Sequence, residues 1–346
     1  VEAPSKPRRA RVVLALKGAA LLIFLVLLAR SLSHADWAGA SARLAAIGPA
    51  ALLVLLPFPL ALTLDSTAWK LLLARVGPRV PLAKLFRVRV ATESLTVALP
   101  AGGIAAEALA PFLVRPDAPM PDAIVSAAAK RWLIIRGHGY YVGISFAVGF
   151  ASLAASSRAL LHHDGLPWIV LATSIGLLGL SFALQNATTR LGLASRVHDG
   201  IQRLPRFFRR FGVQDLPRAS FERVDTDLAR IGKAAHPVPS ALLVGAWLVE
   251  SFETWLILTI LGVDVPWVVV LSFDAALSAV RSAAAFAPAG LGAQDLGYLA
   301  FFEAYGIPNA AAIGPAFLLL KRSKELVWVT IGFTLLFFFS RRKVPA

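Results

Sequence analysis

The chain contains no cysteine, which excludes disulfides, thiolate metal sites and a cysteine nucleophile and leaves the redox compartment open. Charge is scarce as well. Asp, Glu, Lys and Arg make up 16% of the 346 residues, against roughly 25% in soluble domains. Apolar–polar alternation between turns, the pattern of an outer-membrane barrel, is missing, so helices must satisfy the backbone polar groups. There is no G-x-S-x-G elbow, no P-loop and no H-E-x-x-H pair. Neither a metal nor a cofactor is therefore expected.

Apolar residues are abundant, at 57% with a mean hydropathy of +0.69. Runs at 12–29, 47–64, 123–150, 166–184, 241–261 and 310–339 approach or exceed the roughly 20 residues that a helix needs to cross the hydrocarbon core. The apolar stretches around Pro100 and Pro288 are each broken in the middle. The expected fold class is an all-α, polytopic integral membrane protein with about six full spans plus two Pro/Gly-broken, re-entrant hairpins. It forms one membrane domain, 1–346. The first run follows Lys6, Arg8, Arg9 and Arg11 but is long for a signal-peptide core, so it reads as a retained helix.

The net charge of +15 would suit nucleic acid, but its distribution points elsewhere. Five Lys/Arg precede or open the first run, six lie between Lys70 and Arg89, ten between Arg190 and Lys233, and three close the chain. The alternate connections hold only Arg30, Arg43 and Arg158. By the positive-inside rule both termini and the two basic loops are cytoplasmic, as in a bacterial cytoplasmic (inner) membrane protein, with no nucleic-acid partner. Within the basic loop at 187–238, two amphipathic stripes are expected to anchor on the membrane surface: Ile201, Leu204, Phe207, Phe208 and Phe211, then Phe221, Val224, Leu228 and Ile231.

Self-comparison is more informative. Pro100-Ala101-Gly102-Gly103-Ile104-Ala105-Ala106-Glu107 and Pro288-Ala289-Gly290-Leu291-Gly292-Ala293-Gln294-Asp295 both read P-A-G-x-x-A-x-acid. Asp65 precedes the first motif and Glu253 the second by 35 residues each, and G-x-x-V-P turns begin at Gly77 and Gly262. Lys130-Arg131 follows the first motif by 30 residues, and Lys321-Arg322 the second by 33. The halves run over 46–150 and 239–340. Arg75, Arg79 and Lys84 surround the first turn, whereas the second carries Asp264 and no nearby Lys or Arg, so the repeat is expected to be inverted. Pro100, Gly102, Gly103, Pro288, Gly290 and Gly292 mark helix breaks, expected to bring helix ends together near the bilayer midplane.

Charged residues inside spans are costly and ask for a reason. Lys130, Arg131, Arg136, Arg281, Lys321 and Arg322 are candidate ligands for a lipid phosphate. Arg281 is also placed to pair with Asp274. Glu107, Asp295, Glu250 and Glu253 are candidate gating or proton-coupling groups, with Glu250 and Glu253 on one helical face. Snorkelling, internal ion pairs and helix caps are the structural alternatives for the same residues. His138 reads as a buried hydrogen-bonding residue, and Asp225-Thr226-Asp227 as solvated charge.

Asp36-Trp37, Trp69-Lys70, Glu93 with the Pro100 motif, and the Pro288 motif with its P-x-G-L-G-x-x-acid core occur in an order that resembles the flippase-like transmembrane domain of lysylphosphatidylglycerol synthases and their stand-alone relatives. The resemblance covers about 30–340. It implies a lipid flippase-like transporter that translocates or binds an anionic or lipid-linked head group near the midplane. The chain ends at Ala346, so the aminoacyl-transferase activity of bifunctional members is not expected, and neither is enzymatic activity. Relatives linked to hopanoids and to polyisoprenoid-linked sugars leave the substrate open, and with it a second reading as a membrane-embedded enzyme or accessory subunit acting on such lipids. A third reading is a lipid-binding scaffold. The family pattern P-x-R-x-G-E lacks its basic residue at Pro100-Ala101-Gly102-Gly103. The expected partners are membrane lipids (anionic phospholipid, hopanoid or polyisoprenoid-linked), with a homo-oligomer left open.

Overall fold

The computed structural model describes residues 35–99, 102–115, 117–196, 218–283 and 293–341, together with Arg30 and Ser33. The described residues are helical and contain no strand. In chain order the helices are α1 (Trp37–Ile47), a 3₁₀ segment (Gly48–Leu55), α2 (Pro57–Leu73), α3 (Leu82–Ala98), α4 (Gly102–Val114), α5 (Met120–Leu161), α6 (Leu166–Arg190), α7 (Arg218–Lys233), α8 (Pro237–Ile260), α9 (Trp267–Ala283), α10 (Ala293–Ala304) and α11 (Ala310–Arg341). Proline opens α2, α5, α6 and α8 within the first two positions, where its missing N–H has no partner to lose.

Trp37–Leu73, α5, α6, α8 and α11 are long and apolar enough to cross a membrane. The chain is thus a polytopic, all-α membrane protein. These helices contain the apolar runs beginning at 47, 123, 166, 241 and 310; the run at 12–29 lies outside the described residues. Outward side chains such as Leu52, Ile104, Trp168, Ile175, Leu326 and Phe338 are exposed and apolar, the surface that lipid requires.

The first hairpin breaks where the P-A-G motif predicts. α3 ends at Ala98, Leu99 is extended (φ −112°, ψ 143°), and the Gly102 N–H donates to the Leu99 carbonyl at 2.9 Å. A Cβ on Gly102 would collide with the Leu95 carbonyl oxygen, so only glycine lets α4 start this close to α3. Gly103 has room for a side chain. Pro100 itself lies outside the described residues, as do 284–292 between α9 and α10, with Pro288, Gly290 and Gly292.

Helices α2 and α8 pack antiparallel: Leu72 clusters with Leu243, and Leu64 lies against Gly245. The arms of each hairpin then cross over to the other half of the chain, α3 packing on α11 and α9 on α5. Both contacts are close enough to need glycine: a Cβ on Gly332 of α11 would lie 2.6 Å from the Val90 carbonyl of α3, and one on Gly149 of α5 would overlap Ser272 of α9.

Contacts between loops define two faces. On one, Lys84 pairs with Asp117 at 3.0 Å, Arg75 donates to the Ala235 carbonyl at 3.2 Å and Arg223 pairs with Asp122 at 2.8 Å. This basic face carries the Gly77 turn and α7. On the opposite face Arg43 donates to the Leu261 carbonyl at 3.2 Å, beside the Gly262 turn, and the Asp36 N–H donates to the Ala311 carbonyl at 3.0 Å.

Helix α7 corrects the sequence expectation. Val224, Leu228 and Ile231 are buried against Val125, Ala129, Trp132 and Leu133 of α5, with Ala68, Leu72 and Leu243, so the stripe meets protein rather than lipid. Asp225 is not solvated charge: it accepts the N–H groups of Ala194 and Ser195 at 2.9 and 3.0 Å. Asp227, buried, pairs with Arg230 at 2.8 Å. The earlier stripe, 201–211, lies outside the described residues.

Candidate functional site: two layers of buried charge

Each half of the chain places three carboxylates and three cations among its apolar helices. In the first layer Asp65 of α2 is shared between Arg89 of α3 (2.7 Å) and Lys130 of α5 (3.2 Å). Arg89 continues to Glu93 at 3.0 Å, and Arg131 faces Glu107 of α4 at 3.8 Å. The Lys130 ammonium also lies 4.7 Å from the Trp69 ring centre, and the Trp69 indole N–H donates to Ser126 at 3.1 Å.

The second layer repeats this arrangement. Glu253 of α8 is shared between Lys321 (3.4 Å) and Lys324 (2.8 Å) of α11. Arg322 pairs with Asp295 of α10 and with Glu325, both at 2.5 Å. The Lys321 and Lys324 ammoniums each lie 5.3 Å from an aromatic ring centre, Tyr298 and Phe58 respectively. Beside them Asp274 accepts from the Tyr298 hydroxyl at 2.9 Å. The positions that the two P-A-G segments and their flanks align make like pairs: Asp65–Lys130 and Glu253–Lys321, Glu107–Arg131 and Asp295–Arg322.

Helix α8 measures the depth of the two layers. At about 1.5 Å of rise per residue, Gly245, level with Leu64, sits roughly 12 Å from the helix start at Pro237. Glu253 lies roughly 12 Å further on and about 11 Å from the other end at Ile260. One layer thus lies a third of the way in from the basic face and the other a third of the way in from the opposite face.

Asp65, Lys130, Glu253, Asp295, Lys321 and Lys324 are buried, whereas Arg131 is half exposed. Balanced charge offsets much of the cost of desolvating such groups, and removing one partner leaves an uncompensated buried charge worth about 3–5 kcal/mol. Every cation in these layers already faces a carboxylate, so an incoming anion competes with one.

Several expectations need adjustment. Glu253 faces the core, but Glu250 is exposed; three residues on a helix are 60° short of a full turn, enough here to put them on different faces. Glu107 is the sixth residue of α4, beyond its first turn, so capping does not explain it, whereas Asp295 does lie in the first turn of α10. Arg136 belongs to neither layer. The side chain of Arg281 lies outside the described residues. His138 is buried and stacks on Trp247, with ring centres 3.9 Å apart. Arg89, Glu93 and Lys324 were not singled out as site residues: Arg89 reads as one more charge of a basic loop, and Lys324 shows itself only as a second cation three residues after Lys321, on the same helical face.

These features define a helical membrane protein with charge buried at two depths. The chain belongs to the family described as lysylphosphatidylglycerol synthase TM region, whose profile matches residues 14–339. No curated protein and no solved structure matches it.

Proposed function

We propose that this chain translocates an anionic or lipid-linked head group across a bacterial cytoplasmic membrane, using two oppositely oriented halves as alternating gates. The observation that carries the reading is the pair of charge layers, built from residues at matching sequence positions and lying about one third and two thirds of the way along α8. Antiparallel α2 and α8, and the Gly77 and Gly262 turns on opposite faces, support an inverted repeat. The arms of the first broken hairpin, at 17 and 13 residues, are shorter than the roughly 20 needed to span. The Lys84–Asp117 pair joins the entry and exit of the first hairpin, which supports a re-entrant path. The basic face is cytoplasmic by its Lys and Arg content.

In this reading the lipid phosphate drives the opening. It competes with Glu107 for half-exposed Arg131 in one layer and with Asp295 and Glu325 for Arg322 in the other. An unoccupied layer stays shut because its charges have no other partner. Translocation needs no covalent step, and in this reading the chain acts as a transporter. The test is flipping of a labelled phosphatidylglycerol in proteoliposomes by Arg131→Ala, Arg322→Ala, Glu107→Gln and Asp295→Asn. Each is expected to slow flipping about tenfold or more, the scale of one charge-assisted hydrogen bond. Undiminished flipping by all four folded variants would reduce the layers to structural ion pairs.

A further inference from the structure

Arg136 of α5 is half-buried and meets no carboxylate among the described residues. Its one hydrogen-bond acceptor there is the side-chain carbonyl of Gln185 on α6. Gln185 in turn is fixed by donating its amide to the Gly232 carbonyl of α7 at 2.6 Å. The guanidinium lies 4.0 Å from the Phe182 ring centre, and its Nε is buried without a hydrogen-bond partner. Gln185 is five residues from the end of α6, about 7.5 Å along the helix, and is tied to α7, so this guanidinium reaches towards the basic face. Tyr140, one turn along α5, and Phe182 on α6 are both exposed there. A second guanidinium, Arg75, holds the next part of the same α7–α8 connection through Ala235.

Among the described residues this cation, desolvated on one side, has only a neutral amide for a partner and lacks the anion that every cation of the two layers possesses. Its surroundings state what that anion is. Two exposed rings beside a guanidinium offer contact to an acyl chain and a bidentate donor to a phosphate. We propose that the junction of α5, α6 and α7 is a binding site for one anionic phospholipid of the basic-face leaflet, its phosphate on Arg136 and its first acyl segments along Tyr140 and Phe182. The site is separate from the charge layers and does not depend on translocation. Bound there, the lipid fastens α7 to the two spans beneath it through Gln185 and Gly232.

Native mass spectrometry of the delipidated full-length chain, titrated with phosphatidylglycerol or phosphatidylcholine, tests this. The wild type is expected to hold one phosphatidylglycerol more than Arg136→Gln does, and to prefer it clearly to phosphatidylcholine. Arg136→Gln is expected to weaken phosphatidylglycerol binding about tenfold, the equivalent of one charge-assisted hydrogen bond. Phe182→Ala, at a half-exposed ring, should weaken it several-fold, whereas Arg158→Gln, exposed at the far end of α5, should leave it unchanged. Equal binding of phosphatidylglycerol by the wild type and by both Arg136→Gln and Phe182→Ala would overturn the site. Displacement of the lipid by inorganic phosphate at matched concentration would overturn its assignment to a lipid, because a free anion gains nothing from the rings.

Discussion

Asp65 and Glu253 hold two cations each, and their neutralisation is what makes the layers tolerable among apolar helices. Asp65→Asn leaves Arg89 and Lys130 facing each other and is expected to cost about 3–5 kcal/mol, measured by thermal unfolding in detergent. Adding Lys130→Met to the same chain should recover part of that loss, since Arg89 keeps Glu93; a double variant less stable than the single would contradict the pairing. His236, at the α7–α8 junction outside the spans, is a second sensitive point. Burial pushes its imidazole below the usual value near 6.5, the backbone hydrogen bond to Ile231 opposes this, and Arg75 and Arg136 add to the depression. The folded state therefore binds this proton less readily than the unfolded chain. Stability is full above about pH 6.5 and falls as the pH drops from there towards the lowered value. His236→Gln should flatten that part of a stability–pH profile; an unchanged slope would assign the pH dependence to other groups. The acids and Lys-Arg pairs of the layers were legible as landmarks because charge is rare in apolar runs. Their partners were not, since Arg89 reads as a topology charge until α3 is folded back against α2.

At the scale of elements, the P-A-G motif predicted the first break because proline and glycine act locally. Gly102→Ala would drive a methyl into the Leu95 carbonyl and is expected to destabilise the hairpin by about 1–3 kcal/mol, while Gly103→Ala, with open space, should be near neutral. Equal effects of the two in a thermal unfolding assay would mean that the close start of α4 is not what holds the hairpin. Helix α7 shows the opposite case. Its amphipathic stripe was plain in the sequence, but periodicity only says that one face is apolar. Whether lipid or another helix covers that face is decided by tertiary packing, here by the apolar surface of α5.

Across the whole molecule, the two halves interlock. α3 lies on α11 and α9 on α5, so neither half buries its long helix alone. Outside 46–150 and 239–340, two short helices dock alike on the two long ones. α1 docks on the start of α11 through Asp36 and Ala311, and α7 on the start of α5 through Arg223 and Asp122, on opposite faces. Under the proposed inverted repeat, each unit comprises an outlying short helix, a span, two short arms and a long span, with α7 as the counterpart of α1. That pairing was not legible in the sequence because α1 and α7 share no motif. The arrangement requires that the matched turns at Gly77 and Gly262 face opposite compartments. In this cysteine-free chain, Arg79→Cys and Asp264→Cys each introduce one exposed thiol, and labelling of intact cells with a membrane-impermeant maleimide reads its side directly. Labelling of Cys at 264 from outside, with Cys at 79 labelled only after permeabilisation, is the predicted result; labelling of both from the same side would contradict the opposed halves on which the two gates depend.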